Sequence, residues 1–491
     1  MAPPVESSSA YEELPILIVR LKLAAIDAYM REDGWTLEDE RYHRQIYRSF
    51  LSVSRPHENG QGGVITEVLI GMGTNRPVSP PCSATVAFVQ ERVDRWNTIR
   101  SEIDTVLSAW VDLPNPQRLE AYYGQDAHDA AIALAVGDSD LGGGSSPAAG
   151  DLDDVADLCT TALRGLTFRA FSANFLRNVR RAINGSCALV VVLDQAVNGE
   201  VELWNRARLN TAEIVERATQ SFRNYAGWSH DETIVALKVL GAVIAGAAAV
   251  GTAVATGGLT IALAGATGGA MVTLLSEVYS GSIKAEEQRN LAGGSYRDIW
   301  KAFDAALNAL NEQIKAEETT LQANLNGNHA NATRDSGFDI PKDKVVTGGT
   351  DTTQLLGVTK VTDLGADVKT DPEKVAAITK VYLPHVADEL ENAQRILMRR
   401  IIPDNLPWVR HYSIGIGEKG PWPVWNQLAW TIWSLLGDLA WECRENAKVL
   451  DIIDQRLHTT DTESAKRLDA LLLQTAEANA SGNKYDPFGR D

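Results

Sequence analysis

The chain has few of the features that usually announce a chemistry. Only four cysteines occur in 491 residues, at Cys82, Cys159, Cys187 and Cys443. Their spacing fits neither a metal knuckle nor a redox pair, and they are too sparse for a disulfide scaffold. Positive charge is in deficit, with 46 Lys and Arg against 64 Asp and Glu, a formal net charge of -18. Nucleic acid and anionic surfaces need a basic face, so nucleic acid is excluded as an electrostatic partner. The opening Met1-Ala-Pro-Pro-Val-Glu-Ser-Ser-Ser lacks the basic start and adjoining apolar run of a Sec signal peptide. No Walker-type phosphate loop and no nucleophile elbow is found. No internal repeat stands out.

The remaining composition is that of a folded globular protein, with 44% hydrophobic and 22% charged residues. Apolar spacing predicts helices over Leu14–Met30 and Leu37–Phe50, broken at Asp33-Gly34. The Gly- and Pro-rich stretch 54–81 contains one short strand candidate, 64–70. Helices are expected at 84–110, stopped by Leu113-Pro-Asn-Pro, and at 117–136, followed by a flexible stretch, 137–150. Residues 152–226 read as a short helix, a turn near Gly165 and a long helix. A charged amphipathic helix is expected from about Ile283 to Leu325. The last helices are placed at 372–400, beginning at Pro372, and at 425–456 and 461–478. The expected fold class is therefore all-α, an elongated antiparallel helical bundle. The domain reading is an N-terminal helical segment and loop (1–80), a main bundle (81–326), a polar linker (327–371), a C-terminal helical module (372–480) and a tail (481–491).

The least ambiguous feature is apolar. Val239–Ser276 is 38 residues without a charge, rich in Ala and Gly, with Gly257-Gly258 at its centre. As a helical hairpin turning at Gly257 and Gly258, each arm would be about 27 Å long, near the thickness of a bilayer core. Gly265 and Gly269 stand four apart, a spacing that lets helices approach closely. Two readings stay open, a packed hairpin buried in a bundle and a segment that enters a membrane.

Candidate chemistry is thin. Gly415, Gly417 and Gly420 form a G-x-G-x-x-G pattern, but Pro421-Trp422-Pro423 follows and no βαβ pattern surrounds it, so an irregular loop is expected. Asp126, His128 and Asp129 on one helix read as a solvated face, since a closed metal site needs converging ligands. Trp430, Trp433 and Trp441 share a helical face and read as core. No catalytic, cofactor-binding or metal-ligating set emerges, and a non-enzymatic protein is expected.

The stretch Leu163-Arg-Gly165-Leu-Thr-Phe168-Arg-Ala-Phe171, followed by a long helix with Trp204, resembles the second half of a WXG-type helical hairpin. In that family a W-x-G turn joins two antiparallel helices; here Leu163 stands in place of the tryptophan, and Gly165 suits the tight turn. The order of parts is similar to the larger type VII (ESX) secretion substrates of actinobacteria, which carry an Ala/Gly-rich segment after the hairpin. Their Tyr-x-x-x-Asp/Glu signal corresponds in position to Leu457–Asp461, with Leu457 replacing the tyrosine. The same spacing occurs with its tyrosine at Tyr29–Asp33 and Tyr122–Asp126. The resemblance implies a protein made in the cytoplasm and exported, without a Sec leader, to the cell envelope or beyond. It also implies assembly with itself or with other secreted helical proteins, and action at a membrane. A pore-forming helical toxin inserting 239–276 is the alternative reading.

Overall fold

A computed structural model describes residues 7–57, 62–70, 75–134, 146–163, 168, 171–227, 236–239, 287–290, 295–334, 371–401 and 406–459. The first helices are α1 (Ser7–Glu12) and α2 (Leu14–Glu32). Helix α2 buries Leu14, Ile18, Leu21 and Ala25, one stripe at helical spacing. It ends at Asp33, and Gly34 follows with φ +84°.

The expected all-α class is corrected here. In place of a helix over Leu37–Phe50 the chain builds a five-stranded antiparallel meander, β1-β2-β3-β4-β5. The strands are β1 (Thr36–Glu38), β2 (Arg41–Ile46), β3 (Ser49–Ser54), β4 (Ile65–Ile70) and β5 (Asn75–Val78). The β1–β2 turn is the two-residue kind, Asp39-Glu40, with φ +51° and +59°. Positive φ at both positions matches the twist of paired strands. Tyr42, Leu51 and Val53 are buried on the inner face. The inward position between Tyr42 and Ile46 holds Arg44, which pairs with Asp33, so the apolar alternation is interrupted by a charge. The remaining apolar residues, Tyr42, Ile46 and Phe50, fall four apart and imitate a helix. The sheet is fixed to α2 by a buried carboxylate. Asp27 accepts from Tyr42 Oη at 2.6 Å and from Arg55 Nη2 at 2.6 Å. The 64–70 strand expectation agrees with β4.

Helix α3 (Ser83–Leu107) runs back along α2, joined by Lys22–Asp104 at 2.5 Å and Arg92–Asp33 at 3.1 Å. Helices α4 (Pro116–Leu119) and α5 (Gln125–Leu134) are continuous through a wide turn at Glu120–Gly124. Helix α6 (Pro147–Asp157) starts at the Ser146 cap. The spine is α7 (Arg177–Ala226), 50 residues and about 75 Å long. It closes at Gly227, φ +85°, where Arg31 donates to the Ala226 carbonyl.

The charged helix starts later than its sequence pattern suggests. Glu287–Asn290 is strand β7, paired antiparallel with β6 (Ala236–Val239), and α8 runs Tyr296–Arg334. Ser295 sets the start, its Oγ accepting from Asp298 N–H at 3.2 Å. Helix α8 also extends past Leu325, because Asn328 and Ala332 still pack inward. It lies antiparallel to α7, with Phe222 against Tyr296 at 5.5 Å.

Helices α9 (Pro372–Ala377) and α10 (Leu383–Ile401) are joined by a wide turn, and α11 spans Trp422–Thr459. Gln394 on α10 donates to the Trp433 carbonyl at 2.9 Å, and Arg444 on α11 pairs with Asp388 at 2.7 Å. Trp433 is buried while Trp430 and Trp441 are half-buried. The expected helix 461–478, and nearly all of the apolar stretch 239–276, lie outside the described residues.

Candidate functional site: a buried carboxylate pair on one guanidinium

The middle of α7 buries a carboxyl group. Ala196, Leu203 and Ala207 give it an apolar face, yet Glu200 occupies that face and is fully buried. Opposite it, Ile314, Leu321 and Leu325 form the apolar stripe of α8, and Glu318 occupies the position between Ile314 and Leu321. The third member, Arg410, comes from the loop that links the short turn Leu406–Trp408 to α11. Arg410 and Glu318 have no side-chain exposure, and Arg410 Nη2 donates to Glu318 Oε1.

The loop is wound around this pair. Ile416 N–H donates to Glu318 Oε2 at 2.8 Å, and Gly415 N–H to Asn311 Oδ1 at 2.8 Å. Asn311 Nδ2 returns a bond to the Ser413 carbonyl at 2.9 Å, and Arg410 Nη1 donates to the Trp408 carbonyl at 3.2 Å. Gly415 and Gly420 have φ +63° and +50°, and a Cβ on either would overlap Glu318 or Arg410. The glycines noticed as G-x-G-x-x-G thus serve close backbone wrapping of an ion pair. The pattern is an irregular loop, as expected, and α11 begins after it at Trp422.

Aromatic rings close the site. The Arg410 guanidinium lies 4.9 Å from the Trp204 ring centroid, and Trp204 Nε1 donates to Glu200 Oε2 at 2.7 Å. Tyr123, Trp408 and Trp425 pack edge to face beside it, and Trp425 Nε1 donates to the Leu193 carbonyl at 3.0 Å. Among the described residues Glu200 Oε1 and Arg410 Nε have no hydrogen-bond partner. Burial lifts the Glu200 carboxyl to about 8, with Glu318 adding to the rise and Arg410 opposing it. Burial lifts Glu318 as well, against the pull of Arg410 and the Ile416 amide. Two carboxylates therefore face one guanidinium. Burial favours a proton on this pair of carboxyls, most strongly on Glu200, while Arg410 is bonded to Glu318.

The other sequence candidates fall elsewhere. Tyr29 packs edge-on against Tyr296 at 6.2 Å, and Asp33 binds Arg44, Arg92 and Trp35 Nε1. Leu163 is buried at the end of the wide turn Leu158–Ala162, and Leu457 lies in the last turns of α11. Gly165, Gly257, Gly258, Gly265, Gly269 and Asp461 lie outside the described residues. His128 faces Asp194, whose carboxyl burial raises to about 6, while Asp126 lies 3.9 Å from Arg399. Among the described residues no group of three His, Cys, Asp or Glu could hold a metal ion. All four cysteines are free thiols; burial pushes Cys159 and Cys187 up to about 12. Among the described residues no helix is long and apolar enough to cross a membrane.

Sequence reasoning missed Glu200, Glu318 and Arg410. The available signal was a carboxylate falling in register on an otherwise apolar helical stripe, at Ile314–Glu318–Leu321–Leu325 and again at Ala196–Glu200–Leu203. Comparison of the chain with family models, with characterised proteins and with solved structures finds no match.

Proposed function

We propose that this chain is a non-enzymatic, membrane-active helical protein that delivers the apolar segment 239–276 to a bilayer from one end of the α7–α8 pair. The observation that carries the reading is the β6–β7 pairing, in which Val239 faces Glu287. The two strands flank residues 240–286, which include nearly all of the uncharged segment, and set Val239 beside Glu287 where α7 ends and α8 begins. A 38-residue charge-free stretch inside a segment that leaves and rejoins the described fold at one strand pair supports the reading of an insertable hairpin. Its arms, at 18 residues on either side of Gly257-Gly258, are long enough to reach across most of a hydrocarbon core. The acidic balance of the chain supports insertion driven by apolar surface rather than by attraction to anionic lipid. Export by a type VII-like route, with self-assembly or assembly with other secreted helical proteins, belongs to the same reading. It is supported by the sequence resemblance at Leu163 and Gly165.

Dye release from neutral phosphatidylcholine vesicles tests it. The full chain should release encapsulated dye, and Val254→Asp should abolish release while leaving the far-ultraviolet circular dichroism unchanged. A central charge costs roughly 2.5–3.5 kcal/mol on insertion scales. Undiminished release by Val254→Asp, or no release by the parent chain, would remove the reading.

A further inference from the structure

We propose that Glu200, Glu318 and Arg410 form a proton-tightened latch: the 409–421 loop is clamped across the middle of α7 and α8 while Glu200 holds a proton, and is released as that proton is lost. The proposal rests on α7, α8 and the 409–421 loop and is independent of membrane activity.

The geometry makes the clamp depend on charge count. The ionised groups that act on Glu200 are Glu318 from α8 and Arg410 from the loop, and its own helix contributes the Trp204 N–H. One guanidinium can balance one carboxylate. A second negative charge at Glu200 would be buried with no cation of its own and would also repel Glu318. The unpartnered Glu200 Oε1 is consistent with a carboxyl that gains no compensating bond when ionised. Lifting the loop lets water reach both carboxyls; the relief of burial, the largest influence on Glu200, outweighs the lost pull of Arg410, so Glu200 ionises and its proton passes to water. Closing reverses this.

The loop is the element that can leave. It is irregular, and it is held by Arg410 to Glu318 and against Trp204, by two backbone amides, by Asn311 and by the buried Ile414. Helices α7 and α8 keep their own backbone bonds whether it is on or off. What it bridges matters for the whole protein. The loop enters from Trp408, packed on Tyr123, and continues into α11. The latch therefore ties the C-terminal helices to the midpoint of the pair whose far end carries β6 and β7.

The sign follows from proton linkage. Glu200 binds its proton more tightly in the closed state, so closure is fully supported below the ordinary carboxylate range. That support is lost as pH rises through the closed-state value of about 8. Hydrogen exchange of the full chain, read by mass spectrometry on peptides covering 411–421 and corrected for intrinsic rates, measures the opening directly. Opening linked to one proton should increase about tenfold per pH unit between roughly pH 5.5 and 8 and then level off. In Glu200→Gln the corrected opening should be independent of pH over that range, with the β2–β3 amides as an internal control. A flat wild-type profile overturns the latch, and so does a Glu200→Gln profile with the wild-type slope. If Glu200→Gln does not fold, the wild-type profile decides: a one-proton slope ending near pH 8 supports the latch, and any other profile overturns it.

Discussion

At the scale of single residues, the chain spends its burial on two kinds of charge. Asp27 is buried beneath the sheet with Arg55 and Tyr42 bonded to it, so its desolvation is offset in part, and burial still raises its carboxyl. The Glu200–Glu318–Arg410 cluster is less balanced, because one cation serves two carboxyls. This difference makes a sharp prediction about mutation. Glu318→Ala leaves Arg410 buried without its anion, and Arg410→Ala leaves Glu318 without its cation. Each should lower unfolding free energy by about 3–5 kcal/mol in urea denaturation at pH 7. Replacing both with Met at once should cost less than either single change, since no uncompensated charge remains. A double variant as destabilised as the sum of the singles would mean that the pair is not coupled as described. None of this was visible as a motif. Glu318 is one of 64 acidic residues, and only its placement on the Ile314–Leu325 stripe distinguishes it.

At the scale of elements, what the sequence makes legible depends on whether a segment's apolar period is clean. The stripes of α2 and α3 and the Pro372 start are clear, and the structure follows them, although α3 ends at Leu107, ahead of the Pro-Asn-Pro after Leu113. Segment 36–54 fails for a specific reason. Arg44 takes an inward position of β2 and is satisfied by Asp33, so period two is masked while Tyr42, Ile46 and Phe50 supply a false period of four. The signal that corrects it is conformational, the Asp39-Glu40 turn with both φ positive. Neither residue is Gly or Asn, so the usual hairpin mark is missing. Asp39→Gly should therefore stabilise the protein by about 1 kcal/mol through relief of left-handed strain, read as a higher midpoint in urea at unchanged slope. A substitution to Val at the same site should destabilise by a similar amount or more, because branched side chains tolerate positive φ worst. The late start of α8 has a comparable origin. Ile283 continues the apolar rhythm of the helix, but the Ser295 cap sets the first turn, and Glu287–Asn290 pairs with β6 instead.

At the scale of the whole molecule, several groups titrate in one direction. Burial raises Glu200 to about 8 and Asp194 to about 6, each above an unfolded value near 4. Both bind protons more tightly when folded, so the stability each contributes is complete in mild acid and is lost as pH climbs through its folded value. His385 acts in the same sense. Its Nδ1 lies 2.5 Å from Asp151 Oδ2, a bond from α10 to α6 that raises the imidazole above its ordinary value. That contribution is present below the unfolded histidine range and disappears as pH passes the raised one. The net charge of -18 grows more negative over the same interval, and self-repulsion adds to the trend. A carboxylate-rich protein is commonly expected to gain stability as its acids ionise. Here the melting temperature should instead be highest near pH 5–6 and decline toward pH 9. Asp151→Asn should remove the part of the decline belonging to His385, and Glu200→Gln the part that ends near pH 8. Calorimetric scans of the three proteins at half-unit steps would separate these contributions. A melting temperature that rises steadily from pH 6 to 9 in the parent chain would contradict the burial of Glu200 as a neutral acid.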